Sequence, residues 1–251
     1  MTAAVAIRVT EGIVLAADGQ TSMLGHGARG MELSNCYTGA CKVLPLREQR
    51  PLAALCWGAG SIGGITFPTL LQAAAEGLDP DATPQHAADH VVRSCNSQLA
   101  DPHLPDHNAK PSFGVLVAGY GEENLAPATW LIRGEQGRML PSQRLDERLF
   151  WAGDGCEAIV RLVLGNGSST NTALERAGLD DTSRERCLRQ LKDHGLQRLV
   201  HPEMPIADAA NLARFLIQTC IDYARFAPSA ATVAGPVRLA CIQRSGLTIK
   251  A

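Results

Sequence analysis

Residues 2–21 decide the fold, and they read TAAVAIRVTEGIVLAADGQT. Val5, Ile7 and Val9 alternate with smaller or polar residues, as in a strand with one buried face. A turn at Glu11-Gly12 follows, and a short apolar run then occupies residues 13–17. Two strands around a glycine turn predict a β-hairpin at the start of the chain.

The next hundred residues continue with a loop, a strand pair and two helices. Residues 18–41 are polar and carry five glycines, which predicts mostly loop. A second strand pair is predicted at 42–46 and 52–57, ending in Gly58-Ala59-Gly60. Helices are predicted at 67–76 and from Thr83, as N-cap, to about residue 99.

The second half alternates strands and helices. Strands are predicted at 113–120, 129–133 and 149–152, and a helix at about 155–165. Weaker helical patterns occupy 172–199, and final strands are predicted at 232–243 and 247–250. Pro205 opens a strong amphipathic helix, whose apolar stripe is Ile206, Ala210, Ala213, Ile217 and Ile221.

This order of elements predicts an α+β fold. Strands that arrive in hairpins, with helices clustered between them, argue against a doubly wound parallel sheet. Two antiparallel sheets with helices on their outer faces fit the order. Because no repeat or break in composition divides the chain, we expect one domain over residues 1–251.

Composition excludes several classes of function. The chain has 251 residues and a net charge of −2, which provides no basic surface for nucleic acid. No run of 18 apolar residues is present, so we expect no membrane association. The first residues lack a basic segment followed by an apolar one, which predicts a cytoplasmic protein without a secretory signal.

Cysteine and histidine spacing does not predict a metal site. None of the eight cysteines forms a CxxC pair, and several lie within apolar runs, as buried free thiols do. His86 and His90, like His103 and His107, are four residues apart, but no further ligands accompany either pair. We expect neither a metal nor a cofactor.

Thr2 is a candidate nucleophile because it follows Met1 directly. Removal of the methionine would give Thr2 a free α-amine, whose pKa is ordinarily about 7.7–8.0. One residue would then carry both a hydroxyl nucleophile and a general base. A threonine after the initiator methionine is common, however, and by itself indicates only a terminus.

Several sequence blocks resemble proteasome β-type subunits and the bacterial ring protease that works with an ATPase. Thr2 to Ile7 and Asp18-Gly19-Gln20-Thr21 resemble the family's N-terminal block, and the Asp18-Gly19-Gln20 element looks most like the bacterial type. Lys42-Val43-Leu44 is similar to the family's lysine-bearing strand. The block 56–60 is similar to its glycine-containing strand end, and the block 151–155 is similar to its glycine-rich turn. Residues 233–237 and the extra helical segment at about 166–205 resemble the ancestral-β-subunit branch.

The resemblance implies a four-layer αββα sandwich and a catalytic set. Thr2 would be nucleophile and base, Asp18 would orient the terminus, and Lys42 would lie beside the Thr2 hydroxyl and lower its pKa. Gly58 would donate a backbone N–H to the oxyanion at a point where a side chain would crowd the approach. Extended substrate would lie between Thr21-Ser22 and the Gly58–Gly60 edge.

Composition sharpens the lysine assignment. The chain has four lysines against 19 arginines, and Lys42 is the first of the four. Arginine is a poor substitute at such a position because it is larger and always charged.

The sequence also departs from the family pattern. The loop between Asp18 and Lys42 is longer than usual, and Asp154 stands where a serine usually supports the terminal amine. Asp154 could still accept a hydrogen bond from that amine. Asp222 and Ser229 lie near the family's second aspartate and serine, but we assign them no role because the chain aligns poorly there.

The resemblance implies a threonine-type endopeptidase in a self-assembled homo-oligomeric ring. Its substrate would be a peptide or unfolded protein, with an ATPase or other regulator unassigned. Two alternatives stay open, since fold does not determine function. One is a catalytically inactive ring-forming scaffold, and the other is a non-proteolytic amidase or transpeptidase.

Overall fold

A computed structural model describes residues 2–27, 30–47, 51–62, 64–100, 112–121, 126–135, 137–164, 169–227 and 232–250. Over these ranges the strands are β1 Ala4–Val9, β2 Gly12–Ala17, β3 Thr21–Gly27, β4 Gly30–Tyr37, β5 Val43–Arg47, β6 Leu52–Gly58, β7 Ser61–Ile62, β8 Ile65–Thr66, β9 Phe113–Tyr120, β10 Pro127–Glu135, β11 Arg138–Met139, β12 Gln143–Leu145, β13 Leu149–Ala152, β14 Arg238–Gln243 and β15 Gly246–Lys250. The helices are α1 Phe67–Glu76, α2 Pro84–Leu99, α3 Glu157–Leu164, α4 Ser169–Arg176, α5 Asp181–Leu199 and α6 Ile206–Phe226, and a 3₁₀ turn, Asp154–Cys156, precedes α3.

The predicted N-terminal hairpin forms the middle of the first sheet. β1 and β2 pair antiparallel from Ala4 opposite Ala17 to Val9 opposite Gly12, and the sheet has the order β13-β1-β2-β14-β15. All six residues of β2 are buried. This burial on both faces explains why β2 reads as a continuous apolar run rather than as an alternation.

The second sheet has the order β11-β10-β9-β6-β5, with β12 also paired to β10. Its neighbouring strands are antiparallel, and the predicted 42–46 and 52–57 pair forms its β5 and β6. The fold is therefore mixed, with several antiparallel sheets and helices, which confirms this part of the predicted class.

Three clusters of buried side chains connect the sheets and helices. One joins the first sheet to α3 and α6 and includes Val5, Ile159 and Ile217. A second joins the second sheet to α1 and α2 and includes Leu70. The third consists of side chains from both sheets, among them Ala4, Ile13, Leu15, Val43, Leu55 and Leu116.

Two predicted helix starts are confirmed in detail. The Thr83 hydroxyl accepts from the His86 N–H at 3.2 Å, and Pro84 is the first residue of α2. Thr66 caps α1 in the same way. Side-chain oxygens at these positions satisfy N–H groups that have no partner within the helix.

The long helix α6 begins after Pro205, as predicted, but its buried face is displaced. The buried residues are Ala209, Ala213, Leu216, Ile217, Cys220 and Ile221. Ile206 and Ala210, which were predicted within the stripe, are only half buried. The Ile206 N–H donates to the Glu11 carboxylate at 2.9 Å, which fixes how the helix enters against the first sheet.

The prediction of mostly loop at 18–41 is wrong, because β3 and β4 form an antiparallel ribbon there. This ribbon belongs to neither large sheet. A ribbon outside the two sheets does not need the apolar alternation by which strands are recognised in sequence. The last strand pair also begins later than predicted, at Arg238, after Gly235 with its φ of +84° and Pro236.

Among the described residues, no helix combines the length and apolar character needed to cross a bilayer.

Candidate active site

A cleft of about 250 Å³ opens between the N-terminus, the start of β3, the end of β6 and the start of α1. Its lining residues are Thr2, Gln20, Thr21, Ser22, Ala40, Cys41, Lys42, Cys56, Trp57, Gly58, Ala59, Gly60, Thr66, Phe67 and Pro68. Six residues predicted from the sequence, Thr2, Thr21, Ser22, Lys42, Gly58 and Gly60, therefore share one cleft.

Thr2 is held by a glycine-rich turn. Its carbonyl oxygen accepts from the Gly155 N–H at 3.1 Å, and Thr2 is 3% exposed. A Cβ at Gly153 would lie 2.0 Å from the same oxygen, and the φ of Gly153 is +95°. Only glycine fits at position 153, so the turn at 153–155 fixes the backbone of the candidate nucleophile.

Asp18 lies behind the cleft and joins three segments of the chain. Its Oδ1 accepts from the Ala3 N–H at 2.9 Å and from Lys42 Nζ at 2.8 Å, and its Oδ2 accepts from the Gln20 N–H at 3.0 Å. The carboxylate is fully buried. These three donors satisfy a charge that would otherwise be costly to remove from water.

Lys42 lines the cleft and pairs with Asp18. Burial lowers the pKa of Lys42 below its usual 10.5, and the Asp18 carboxylate acts in the opposite direction. Desolvation disfavours the charged ammonium more than the ion pair favours it. Lys42 therefore loses its proton at lower pH than an exposed lysine does.

Gly58 ends β6 with a φ of +89°. A Cβ there would lie 2.5 Å from the Ser112 carbonyl oxygen and 2.7 Å from Phe113 Cα. The family resemblance implies that position 58 is glycine because a side chain there would crowd the approach of substrate to the backbone N–H. The structure provides a further reason, since the backbone before β9 and at its start leaves no room for a side chain.

The two predicted substrate edges lie close to each other. A Cβ at Gly60 would be 3.7 Å from Thr21 Cγ2, which is ordinary van der Waals contact. Thr21 and Ser22 begin β3, whereas Gly60 follows β6. The cleft thus lies between the start of β3 and the end of β6, which is the neighbour of the edge strand β5 in the second sheet.

Two other candidates lie elsewhere, and one is outside the described residues. Asp154 is exposed, is not among the cleft residues, and makes no hydrogen bond to Thr2 within the described ranges. Asp222 is exposed on α6 and accepts from Gln218 Nε2 at 3.1 Å. Ser229 lies outside the described residues, as does Met1.

Sequence reasoning missed three polar or thiol groups of the cleft. Cys41 donates to the Val43 carbonyl at 3.2 Å, and burial raises the pKa of the Cys56 thiol to about 12. Gln20 is buried beside Ser22. The cysteines carry no spacing signal, whereas Gln20 belongs to the Asp18-Gly19-Gln20 element and could have been considered.

The described ranges contain no group of three or more His, Cys, Asp or Glu side chains that could hold a metal ion. His86 borders a different hollow, at the start of α2, and His90 packs near Gly77. His103 and His107 lie outside the described residues.

No family model and no curated protein matches the sequence. Solved structures similar to the chain include Anbu proteins. An Anbu (Gly-1) mutant from Hyphomicrobium sp. strain MC1 is 16% identical over 100% of this chain and 85% of its own, with a TM-score of 0.50. A chain in the helical assembly of the Anbu complex from Pseudomonas aeruginosa is 14% identical over 96% of this chain and 81% of its own, with a TM-score of 0.55. Anbu (ancestral beta-subunit) from Yersinia bercovieri is 12% identical over 98% of this chain and 86% of its own, with a TM-score of 0.49.

The first two likenesses show that the chain shares the Anbu fold, and they show nothing finer at such identities. From the sequence, the chain was assigned to the proteasome β-type and bacterial ring-protease family, closest to the bacterial ring protease and the ancestral-β-subunit branch, and this assignment is wrong. No family model matches, and the solved structures named above are Anbu proteins that are at most 16% identical to the chain. The blocks that suggested it are short and surround tight turns, such as Gly153, where backbone geometry restricts the residue choice.

Proposed function

We propose that the chain is a threonine-type endopeptidase that uses Thr2, freed by removal of Met1, as its nucleophile. One observation supports this above all. A single cleft is lined by Thr2, Lys42 and Gly58, with the buried Asp18 carboxylate bonded to Lys42 behind it. These residues carry a hydroxyl, a cation and a backbone N–H, which are the groups that amide hydrolysis requires.

The proposed reaction has two steps. Thr2 Oγ attacks the scissile carbonyl carbon, and its proton passes to the free α-amine of the same residue. The oxyanion accepts from the Gly58 N–H and is further stabilised by the charge of Lys42. The α-ammonium then protonates the departing amine, leaving an ester on Thr2, and water hydrolyses that ester with the amine again as base.

Asp18 fixes the relative positions of these groups. Through Oδ1 it holds both the Ala3 N–H, one peptide unit from the nucleophile, and the Lys42 ammonium. Substrate lies extended between Thr21-Ser22 and the Gly58–Gly60 edge and pairs as an added strand, so a peptide or unfolded polypeptide is the proposed partner.

The proposal includes the four-layer αββα order and self-assembly into a ring. The three buried clusters support the layers, because α3 and α6 cover one sheet, α1 and α2 cover the other, and the third cluster lies between the sheets. The likeness of fold to the Anbu complex of Pseudomonas aeruginosa, a helical assembly, motivates the homo-oligomer. Light scattering should give a mass far above 26.7 kDa, whereas a clean monomer would contradict the ring.

Intact mass spectrometry before and after exposure to a β-lactone tests the nucleophile. We expect a chain that lacks Met1 and gains one adduct mapping to Thr2, and we expect Thr2→Ala to lose both the adduct and peptide hydrolysis while still assembling. Retained Met1 would leave the α-amine blocked and favour the inactive scaffold. An adduct without peptide hydrolysis would favour an amidase or transpeptidase.

The lysine role is tested by a matched pair of variants. Lys42→Ala should reduce turnover by at least about a hundred-fold, since it removes a charge next to the reacting atoms. Lys250→Ala removes an exposed lysine and should leave turnover unchanged. Equal, mild effects would show that Lys42 does not take part.

A further inference from the structure

We infer that Gln20 is a positioning residue that connects the substrate-binding strand β3 to the Asp18–Lys42 pair. This inference rests on the proposed function. Gln20 is 3% exposed, and it lies between Asp18 and the first residues of β3. Its backbone N–H bonds to Asp18 and its side chain bonds to Ser22, so this residue contacts both the ion pair and the substrate-binding strand.

The backbone of Gln20 is bound on the catalytic side. Its N–H donates to Asp18 Oδ2 at 3.0 Å, while Asp18 Oδ1 holds Lys42 Nζ at 2.8 Å. A bond from an aspartate side chain to the N–H two residues later closes a tight turn. Gly19, inside the turn, packs so closely that a Cβ would lie 2.7 Å from the Thr38 carbonyl oxygen. The turn is therefore closely packed, and β3 begins directly after it, at Thr21.

The side chain of Gln20 is bound on the substrate side. Its Nε2 lies 3.1 Å from Ser22 Oγ and 3.3 Å from Cys36 Sγ. Ser22 and Cys36 stand opposite each other in the β3–β4 ribbon. An amide nitrogen carries two hydrogens, so it can donate one to each strand. Gln20 thereby joins the two strands at a register position that borders the cleft through Ser22.

This link matters because the ribbon belongs to neither large sheet. An isolated two-stranded ribbon is marginally stable. Its edge can pair with a substrate strand only if Thr21 and Ser22 keep their distance from Thr2 and Lys42. The chain of bonds from Lys42 through Asp18 and Gln20 to Ser22 supplies that constraint.

Gln20→Met tests the inference, because it keeps the side-chain length and removes both donors. We expect KM for an extended peptide to rise by about ten-fold with kcat nearly unchanged, since only substrate binding depends on the strand. The rate of Thr2 acylation by a small β-lactone, which does not reach β3, should change by less than about two-fold. Gln218→Met, on an exposed glutamine of α6, is the matched control and should change neither.

Ser22→Ala completes a double-mutant cycle. If the two side chains act through their shared bond, Gln20→Met/Ser22→Ala should raise KM no further than either single change does. An unchanged KM in Gln20→Met, or an equal loss of peptide hydrolysis and lactone acylation, would overturn the inference.

Hydrogen exchange separates this inference from the proposed function, because it needs no turnover. Gln20→Met should speed amide exchange in the paired residues 21–23 and 35–37, with no change in the β1–β2 hairpin. Unchanged exchange in the ribbon would overturn the positioning role even if the wild-type enzyme is active. Absence of both lactone adduct and hydrolysis in the wild-type protein would instead refute the peptidase.

Discussion

Replacing Lys42 by Met should destabilise the protein by breaking the buried pair with Asp18. The methionine side chain keeps most of the lysine volume but cannot donate to Oδ1, from which Nζ is 2.8 Å away. The carboxylate then stays fully buried with one charged partner fewer. Removing one member of a buried ion pair usually costs about 3–5 kcal/mol.

The structure indicates the lower end of that range. Asp18 keeps two backbone donors after the change, the Ala3 N–H at 2.9 Å and the Gln20 N–H at 3.0 Å. We therefore expect a loss of about 3 kcal/mol in the free energy of unfolding, and a fall of about 1 M in the urea midpoint at a slope near 3 kcal/mol/M.

Urea unfolding followed by circular dichroism is the assay, with every variant at the same protein concentration because assembly contributes to apparent stability. Lys250→Met is the matched control on an exposed lysine and should stay within about 0.5 kcal/mol of wild type. Asp18→Asn/Lys42→Met removes both charges and should be more stable than the sum of the two single changes predicts, by about 2 kcal/mol. A Lys42→Met midpoint equal to that of Lys250→Met, or strict additivity in the cycle, would refute the reasoning.

Three further predictions concern the backbone, the pH dependence and the thiols. Gly58→Ala should lower the free energy of unfolding in urea by about 3 kcal/mol or more, because it adds steric overlap to a positive φ. Gly178→Ala, at a φ of +84° with open space around it, should lower it by about 1 kcal/mol. Equal losses in the two variants would contradict the steric overlap at Gly58. The pKa of Lys42 is lowered in the folded state, so between that pKa and 10.5 the unfolded chain binds more protons and stability should rise with pH. The neutral amine still donates to Asp18 Oδ1, which the side chain in Lys42→Met does not, while turnover that needs the ammonium should fall over the same interval. Loss of turnover only above pH 10.5 would contradict this assignment. At pH 8, iodoacetamide should label the half-buried Cys187 and not Cys56, whose pKa is about 12. Mapping of the labelled peptides checks this, and label on Cys56 but not on Cys187 would contradict it.

Elements with a strong local signal could be predicted from the sequence. The β1–β2 hairpin follows from its glycine turn, and α2 begins where Thr83 and Pro84 place it. Thr2 was singled out by its place after Met1, and Lys42 and Gly58 by the resemblance of the short blocks around them to a known family. All three line one cleft.

The parts that could not be predicted depend on distant contacts. In the β3–β4 ribbon the apolar alternation is limited to Met31 and Leu33 of β4, and the glycines around it indicated loop. Asp154 was chosen from its place in the chain, but the group that reaches Thr2 from this turn is the Gly155 N–H. Cys56 borders the cleft only because β6 ends beside Lys42, a fact that spacing does not encode.

The order of strands in the first sheet has a consequence for when the candidate site is completed during synthesis. β1 and β2 are synthesised before β13 and β14, yet they lie between them in the sheet, with Ala4 opposite Ala152 and Ala16 opposite Leu239. Pairings between residues so far apart form late, because a long loop must close before the contact stabilises it. The Gly155 amide that holds Thr2 also arrives late in the chain. A nascent or truncated chain would therefore carry Thr2 without the cleft around it, so the proposed peptidase could act only after both sheet partners have been added.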